Sequence, residues 1–150
     1  MALLDRLRRL LPGLWAGWLI CVAALATPAA FALLERAVAG HVVARMLAQE
    51  AYTSLVLGVV LLVLERLEAR HAAVEGRGSQ FTVGMVLALA ALFCTVLGYF
   101  ALQPMMAAAR AGQGSLSFMT LHLISAGLFV LKGLLVLTLA WRLSSAATTS

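Results

Sequence analysis

The sequence predicts an all-α, polytopic membrane protein, built as an antiparallel four-helix transmembrane bundle. Two observations predict this fold class. Hydrophobic residues make up 63% of the chain and charged residues only 11%, whereas soluble domains carry roughly 25% charged residues. The apolar residues also fall into four runs of about 20 residues, the length that an α-helix needs to cross the hydrocarbon of a bilayer. The chain of 150 residues is therefore expected to form one compact unit.

The first element is an amphipathic basic segment over residues 1–13, in which leucines alternate with arginines. Such a segment is suited to lying on an anionic membrane surface, and Pro12 with Gly13 should end it. The first apolar run, 14–34, then holds no charged residue and should form the first span. A secretory signal peptide is the alternative for this run, with the Ala-Phe-Ala sequence at 30–32 as its cleavage site.

Three further apolar runs follow, at 46–64, 81–102 and 117–141. With the first run they give a transmembrane domain over 14–142, and the polar residues 143–150 are expected to form a flexible tail. The second run carries Glu50 in its predicted first turn, and the fourth contains one cation, Lys132. The connections are short, which favours antiparallel packing of consecutive helices.

The arginines between the runs predict the orientation, because short cytoplasmic loops carry an excess of Lys and Arg. The side with the larger number of cations carries Arg6, Arg8, Arg9, Arg66, Arg70, Arg77 and Arg142. The opposite side carries Arg36, Arg45 and Arg110. Both termini are therefore expected to be cytoplasmic. Topology and anionic lipid headgroups also account for the net charge of +5, so we expect no nucleic-acid partner.

The fourth run has a polar face, since the spacing of His122, Ser125 and Lys132 places them on one side of a helix. A cation near a helix centre costs about 2.5–3.5 kcal/mol on insertion scales, so it usually faces the bundle and has a partner. Glu65, near one end of the second run, is the predicted acidic partner. The pair either fixes packing only, or Lys132 attracts an anionic ligand group or a proton, as in a small transporter.

A second grouping predicts a metal or haem site as an alternative. Imidazole and thioether groups are the ligands that Cu(I) prefers, and two histidines can ligate haem iron. The purely structural interpretation is that the histidines form hydrogen bonds to neighbouring helices and that the methionines are ordinary membrane hydrophobes. In that case no cofactor is bound. The candidate ligands are His41, His122 and Met119, with Met46, Met105 and Met106 nearby.

The sequence contains no P-loop, nucleophile elbow, zinc-protease motif or dinucleotide-binding fingerprint. We therefore expect a non-enzymatic accessory or structural subunit that acts through helix–helix contacts. Small residues recur at three and four positions along the first run, at Gly13, Gly17, Cys21 and Ala24, and such residues allow close helix approach in lipid. The partner would be membrane lipid together with a second copy or a larger membrane complex.

Three segments carry a resemblance to a known family: ATPAAFALLERAVAG, LQPMMAAAR and SFMTLHLISAGLFVLK. Together they resemble the bacterial four-helix membrane proteins of the transmembrane protein 205-like group, the domain of unknown function numbered 4149. The layout is more remotely similar to that of copper-resistance D-type proteins. The resemblance implies a topology and a location in a bacterial inner membrane, with no established reaction. It marks Pro28, Gly40, Pro104, Arg110 and His122 as family-pattern positions.

Overall fold

The computed structural model describes residues 2–76 and 78–145, and every regular element within these ranges is helical. Helix α1 comprises Ala2–Ile20, a π-helical segment Cys21–Ala26, and Thr27–Leu33. Helix α2 is Arg36–Val74. Helix α3 comprises Val83–Thr95, a π-helical segment Val96–Ala101, and Leu102–Arg110. Helix α4 is Phe118–Ser145. All four are long and apolar enough to cross a membrane, which confirms the predicted fold class.

The helices extend well beyond the apolar runs of the sequence. Helix α1 passes through Pro12 without ending there, and α2 begins at Arg36 rather than near residue 46. The connection between them is therefore only Leu34 and Glu35, whose extended backbone turns the chain. The length of an apolar run reflects the thickness of the hydrocarbon layer. The helix itself can continue beyond that layer, because its backbone groups form hydrogen bonds within the helix.

At their C-terminal ends, α2 and α4 also extend farther than the apolar runs predicted. Helix α2 continues through the charged stretch to Val74, and α4 continues to Ser145. The predicted tail 143–150 is thus helical in its first three residues, and residues 146–150 lie outside the described residues. Thr82 caps α3 by accepting a hydrogen bond from the Met85 N–H at 3.2 Å.

The four helices form a closed ring in which each packs against two neighbours, in the order α1, α2, α3, α4 and back to α1. We call the end with the N-terminus of α1 and the α2–α3 connection the proximal end, and the opposite end the distal end. An apolar cluster fills the proximal half. Its largest buried members are Trp15, Leu19, Leu61, Val136 and Leu139. A smaller cluster near the distal end joins α3 to α4.

The two π-helical segments lie at similar places in α1 and α3, each shortly before a proline, Pro28 or Pro104. Proline has no N–H to donate and disrupts the regular ladder. In α1 the N–H of Thr27 reaches back five residues to the carbonyl of Val22, and the Thr27 hydroxyl donates to the same oxygen at 2.8 Å. Segments of this kind often mark functional positions, and the one in α3 borders the site described next.

Candidate functional site

The centre of the bundle holds an ion pair between Lys132 of α4 and Glu50 of α2. Lys132 Nζ lies 2.7 Å from Glu50 Oε1, and the two residues are 3% and 2% exposed. Helices α2 and α4 are not neighbours in the ring, so the pair crosses the bundle axis. The prediction that Glu65 is the partner of Lys132 is wrong.

Two geometric facts explain why Glu50 is the partner. Because α2 begins at Arg36, Glu50 lies about four turns inside the helix and not in its first turn. Side chains on a helix also tilt toward its N-terminus, and the N-termini of α2 and α4 are both distal. Lys132 and Glu50 therefore extend in the same direction, and Lys132 extends away from Glu65.

A chain of hydrogen bonds continues from the ion pair to α1. The Ser54 hydroxyl donates to Glu50 Oε1, and Trp15 Nε1 donates to the Ser54 oxygen at 2.8 Å. Trp15 and Ser54 are fully buried. The polar groups of three helices are thus joined in one network, in which each member has a partner, as buried polar groups require.

Sequence reasoning missed Glu50, Ser54 and Trp15 as parts of this network. A signal was present, because Glu50, Ser54 and Gly58 follow each other at four-residue spacing and share one face of α2. A Cβ atom on Gly58 would come within 2.8 Å of Leu92 Cγ and within 3.3 Å of the Trp15 ring. The small and polar residues of this face are therefore the ones that let α1 and α3 approach α2.

A small cavity of about 40 Å³ borders the ion pair. The Phe129 ring also faces Lys132, with 4.8 Å between Nζ and the ring centroid. Ser125 lines the cavity and donates to the Gly98 carbonyl of the α3 π-helical segment at 2.9 Å. Of the predicted polar face, Ser125 and Lys132 therefore meet at one site. The cavity is lined by Leu47, Glu50, Cys94, Thr95, Gly98, Tyr99, Gln103, Ser125, Phe129 and Lys132.

His122 lies apart from this site, exposed at the distal end of α4. Its ring stacks on the Phe118 ring at a centroid distance of 5.8 Å. The Arg110 guanidinium carbon lies 4.4 Å from the centroid of the same Phe118 ring. Arg110 and His122, both family-pattern positions, are thus joined through one aromatic ring. Such a stack fixes the loop between α3 and α4 against the start of α4.

The other proposed metal ligands are also on the surface of the bundle. His41 is exposed, and its Nδ1 lies 2.9 Å from the Ala37 carbonyl of its own helix. Met119 is 62% exposed. Among the described residues, no group of three or more His, Cys, Asp and Glu side chains is placed to hold a metal ion. The copper or haem site formed by His41, His122 and nearby methionines stays a prediction.

Glu65 takes part in a second charged cluster, at the proximal end. Its Oε1 lies 2.8 Å from Arg8 Nε, in an ion pair that is not aligned as a hydrogen bond. Its Oε2 accepts from the Thr82 hydroxyl at 3.3 Å, next to the start of α3, where a helix dipole favours an anion. A Cβ atom on Gly84 would collide with this carboxylate. Arg8 of α1 is thus tied to α2 and α3.

The comparisons with known proteins identify the family. The chain matches the family model described as Domain of unknown function (DUF4149) over residues 10–115. It matches no curated protein and no solved structure.

The matched range contains Trp15, Glu50 and Ser54 and ends before α4, so Lys132 and His122 lie outside it. The similarities to the transmembrane protein 205-like group and to copper-resistance D-type proteins stay predictions. Four membrane-spanning helices and a match over more than half of the chain give one conclusion: this multi-pass membrane protein belongs to the DUF4149 family.

Proposed function

We propose that the protein is a non-enzymatic accessory or structural subunit of the bacterial inner membrane, which assembles with a second copy through the outer face of α1. One observation carries this proposal. The small residues Gly13, Gly17 and Cys21 are exposed on α1, and outside the adjoining backbone of α1 no atom lies within 4 Å of a Cβ position on either glycine.

The opposite face of α1 already supplies the contacts that hold the bundle together. Trp15 and Leu19 are buried in the proximal cluster, so the small-residue face is not needed for packing within the chain. In lipid, helices associate through van der Waals packing at small residues, because the acyl chains are as apolar as the side chains. A face that presents Gly13 and Gly17 is therefore suited to pack against another helix.

The two cysteines allow a direct test by disulfide cross-linking in native membranes. Cys21 lies on the proposed face, whereas Cys94 is buried inside the bundle. The Cys94→Ala variant should form a covalent dimer through Cys21 on mild oxidation, because the two copies of Cys21 would lie close to the dimer axis. The matched control, Cys21→Ala, should form none.

A further variant separates specific packing from random collision. Gly17→Leu, made in the Cys94→Ala background, should abolish the cross-link, because a leucine in the contact keeps the backbones apart. Cross-linking that persists in this variant, or a purely monomeric protein by native mass spectrometry of detergent-extracted membranes, would refute the proposed self-assembly. Capture of a different subunit at the same face would replace the second copy as the partner.

The cytoplasmic position of both termini is part of the same proposal. The excess of arginine at the proximal end supports it, and Arg8 and Arg9 of α1 lie at that end. A green fluorescent protein fused after residue 150 should fluoresce, and alkaline phosphatase fused at the same place should be inactive. The reverse result would place the termini outside.

A further inference from the structure

The cavity beside the ion pair touches both of its charges. The Lys132 ammonium has three N–H donors, of which Glu50 Oε1 accepts one, and the Phe129 ring covers one side of the ammonium. Glu50 Oε1 also accepts from Ser54, whereas Oε2 accepts no hydrogen bond from any residue in the described ranges. Each charged group thus keeps hydrogen-bonding capacity that protein atoms do not use.

The walls of the cavity differ between its two ends. On the distal side of the ion pair it is lined by the polar side chains of Tyr99, Gln103 and Ser125, with Leu47 beside them. Gln103 lies about one turn beyond Tyr99 along α3, so the polar wall leads toward the distal end.

On the proximal side the bundle is apolar and closed. Trp15, Leu61, Val136 and Leu139 are no more than 1% exposed and form a continuous cluster. Beyond it, the pair of Arg8 and Glu65 joins α1 to α2. A polar path therefore exists from the ion pair toward one end of the bundle only.

The size and lining of the cavity suit water. To hold one water, a cavity needs roughly 10–15 Å³ of space that the centre of a water molecule can occupy, and the water needs polar partners. A volume of about 40 Å³ is sufficient for a short chain of waters. The unused donors of Lys132 and the unused Oε2 of Glu50 supply the partners, together with Ser125 and Gln103.

We propose that water from the distal side fills this cavity and that Glu50 exchanges a proton with that side of the membrane alone. A hydronium ion in the cavity transfers its proton to Glu50 Oε2, which leaves water and a neutral carboxylic acid. Lys132 stays an ammonium, with cavity water and the Phe129 ring as its partners. The reverse step returns the proton to water and restores the ion pair. This activity goes beyond the proposed structural role and does not depend on it.

The groups that face Glu50 define what else can titrate there. Helix α3 contributes Cys94 and Tyr99, and α4 contributes Lys132. Helix α1 contributes only Trp15, through Ser54, and an indole N–H does not titrate. Glu50 is therefore the one carboxylate at this cavity among the described residues, which makes its protonation separable by mutation.

Thiol labelling in lipid nanodiscs tests the water path. In the Cys21→Ala background, Cys94 lines the cavity, and a thiol reacts as its hydrated thiolate. A small water-soluble methanethiosulfonate should label Cys94 at least about tenfold faster than a cysteine placed at Ala91, which lies about one turn closer to the proximal end. Ala91 is 1% exposed and belongs to that cluster, so Ala91→Cys with Cys94→Ala is the matched control.

Labelling from each side tests the one-sided access. The same reagent, applied to sealed vesicles of known protein orientation, should label Cys94 only from the distal side. Equal rates for the two positions, or labelling of Cys94 from the proximal side, would overturn the proposed path.

Infrared difference spectroscopy tests the proton itself. On acidification of the folded protein, carbonyl bands of protonated carboxylic acids should appear, and one component among them should be lost in Glu50→Gln and kept in Glu65→Gln. The absence of any band that depends on Glu50, in wild-type protein that stays folded, would overturn the proposal.

Discussion

Replacement of Lys132 by methionine should strongly destabilise the bundle. Methionine has nearly the length of lysine and leaves no large void, so the main effect is electrostatic. The change leaves the Glu50 carboxylate buried without its cation, where only Ser54 still donates to Oε1. Removal of one partner from a buried ion pair costs about 3–5 kcal/mol, and we expect a loss of about 3 kcal/mol because the Ser54 hydrogen bond remains.

A double-mutant cycle measures the coupling between the two charges. The free energy of unfolding is followed in mixed micelles, with the variants Lys132→Met, Glu50→Gln and their combination. The double variant buries no charge and should recover about 2–3 kcal/mol relative to the sum of the single losses. Arg142→Met is the control, since Arg142 is an exposed cation on the same helix. Additive losses, or a Lys132→Met variant as stable as this control, would refute the reasoning.

Two further substitutions test the packing around the ion pair. Trp15→Phe should lower the free energy of unfolding by about 1–3 kcal/mol, because it leaves the buried Ser54 oxygen without a hydrogen-bond donor. Trp18→Phe, on the exposed face, should change the free energy of unfolding by less than about 0.5 kcal/mol. Gly58→Ala should lower the free energy of unfolding by about 1–3 kcal/mol, because the added methyl group would overpack against Leu92. The matched change Gly127→Ala, at a position with open space, should be neutral or stabilise α4, and both pairs are compared by thermal denaturation in detergent.

The sequence predicted the fold class because the bilayer imposes one strong rule. Helices must be apolar over the hydrocarbon thickness and must satisfy their own backbone. Charge in a span is likewise costly wherever it lies, so Lys132 could be recognised as a buried cation that needs a partner.

The partner itself depended on information that periodicity does not contain. Hydropathy places Glu50 at the edge of the second run, because Arg45 and Gln49 lower the average there. Only the true start of α2 at Arg36 shows that Glu50 lies deep inside a long helix. The burial of Trp15 was missed for a related reason, since an indole near a membrane interface and an indole in a bundle core have the same sequence pattern.

The central claim is that Lys132 and Glu50 are joined across the bundle axis, and Lys132 is the one lysine in the chain. Solid-state NMR on protein in lipid, with ¹⁵N-labelled lysine and ¹³C-labelled glutamate, therefore reports this contact without ambiguity on the nitrogen side. The account predicts a measurable through-space dipolar coupling between the lysine Nζ and one glutamate carboxyl carbon, because Nζ lies 2.7 Å from an oxygen of that carboxylate. Glu50→Gln should abolish it and Glu65→Gln should not. No coupling, or a coupling that survives Glu50→Gln, would contradict the account.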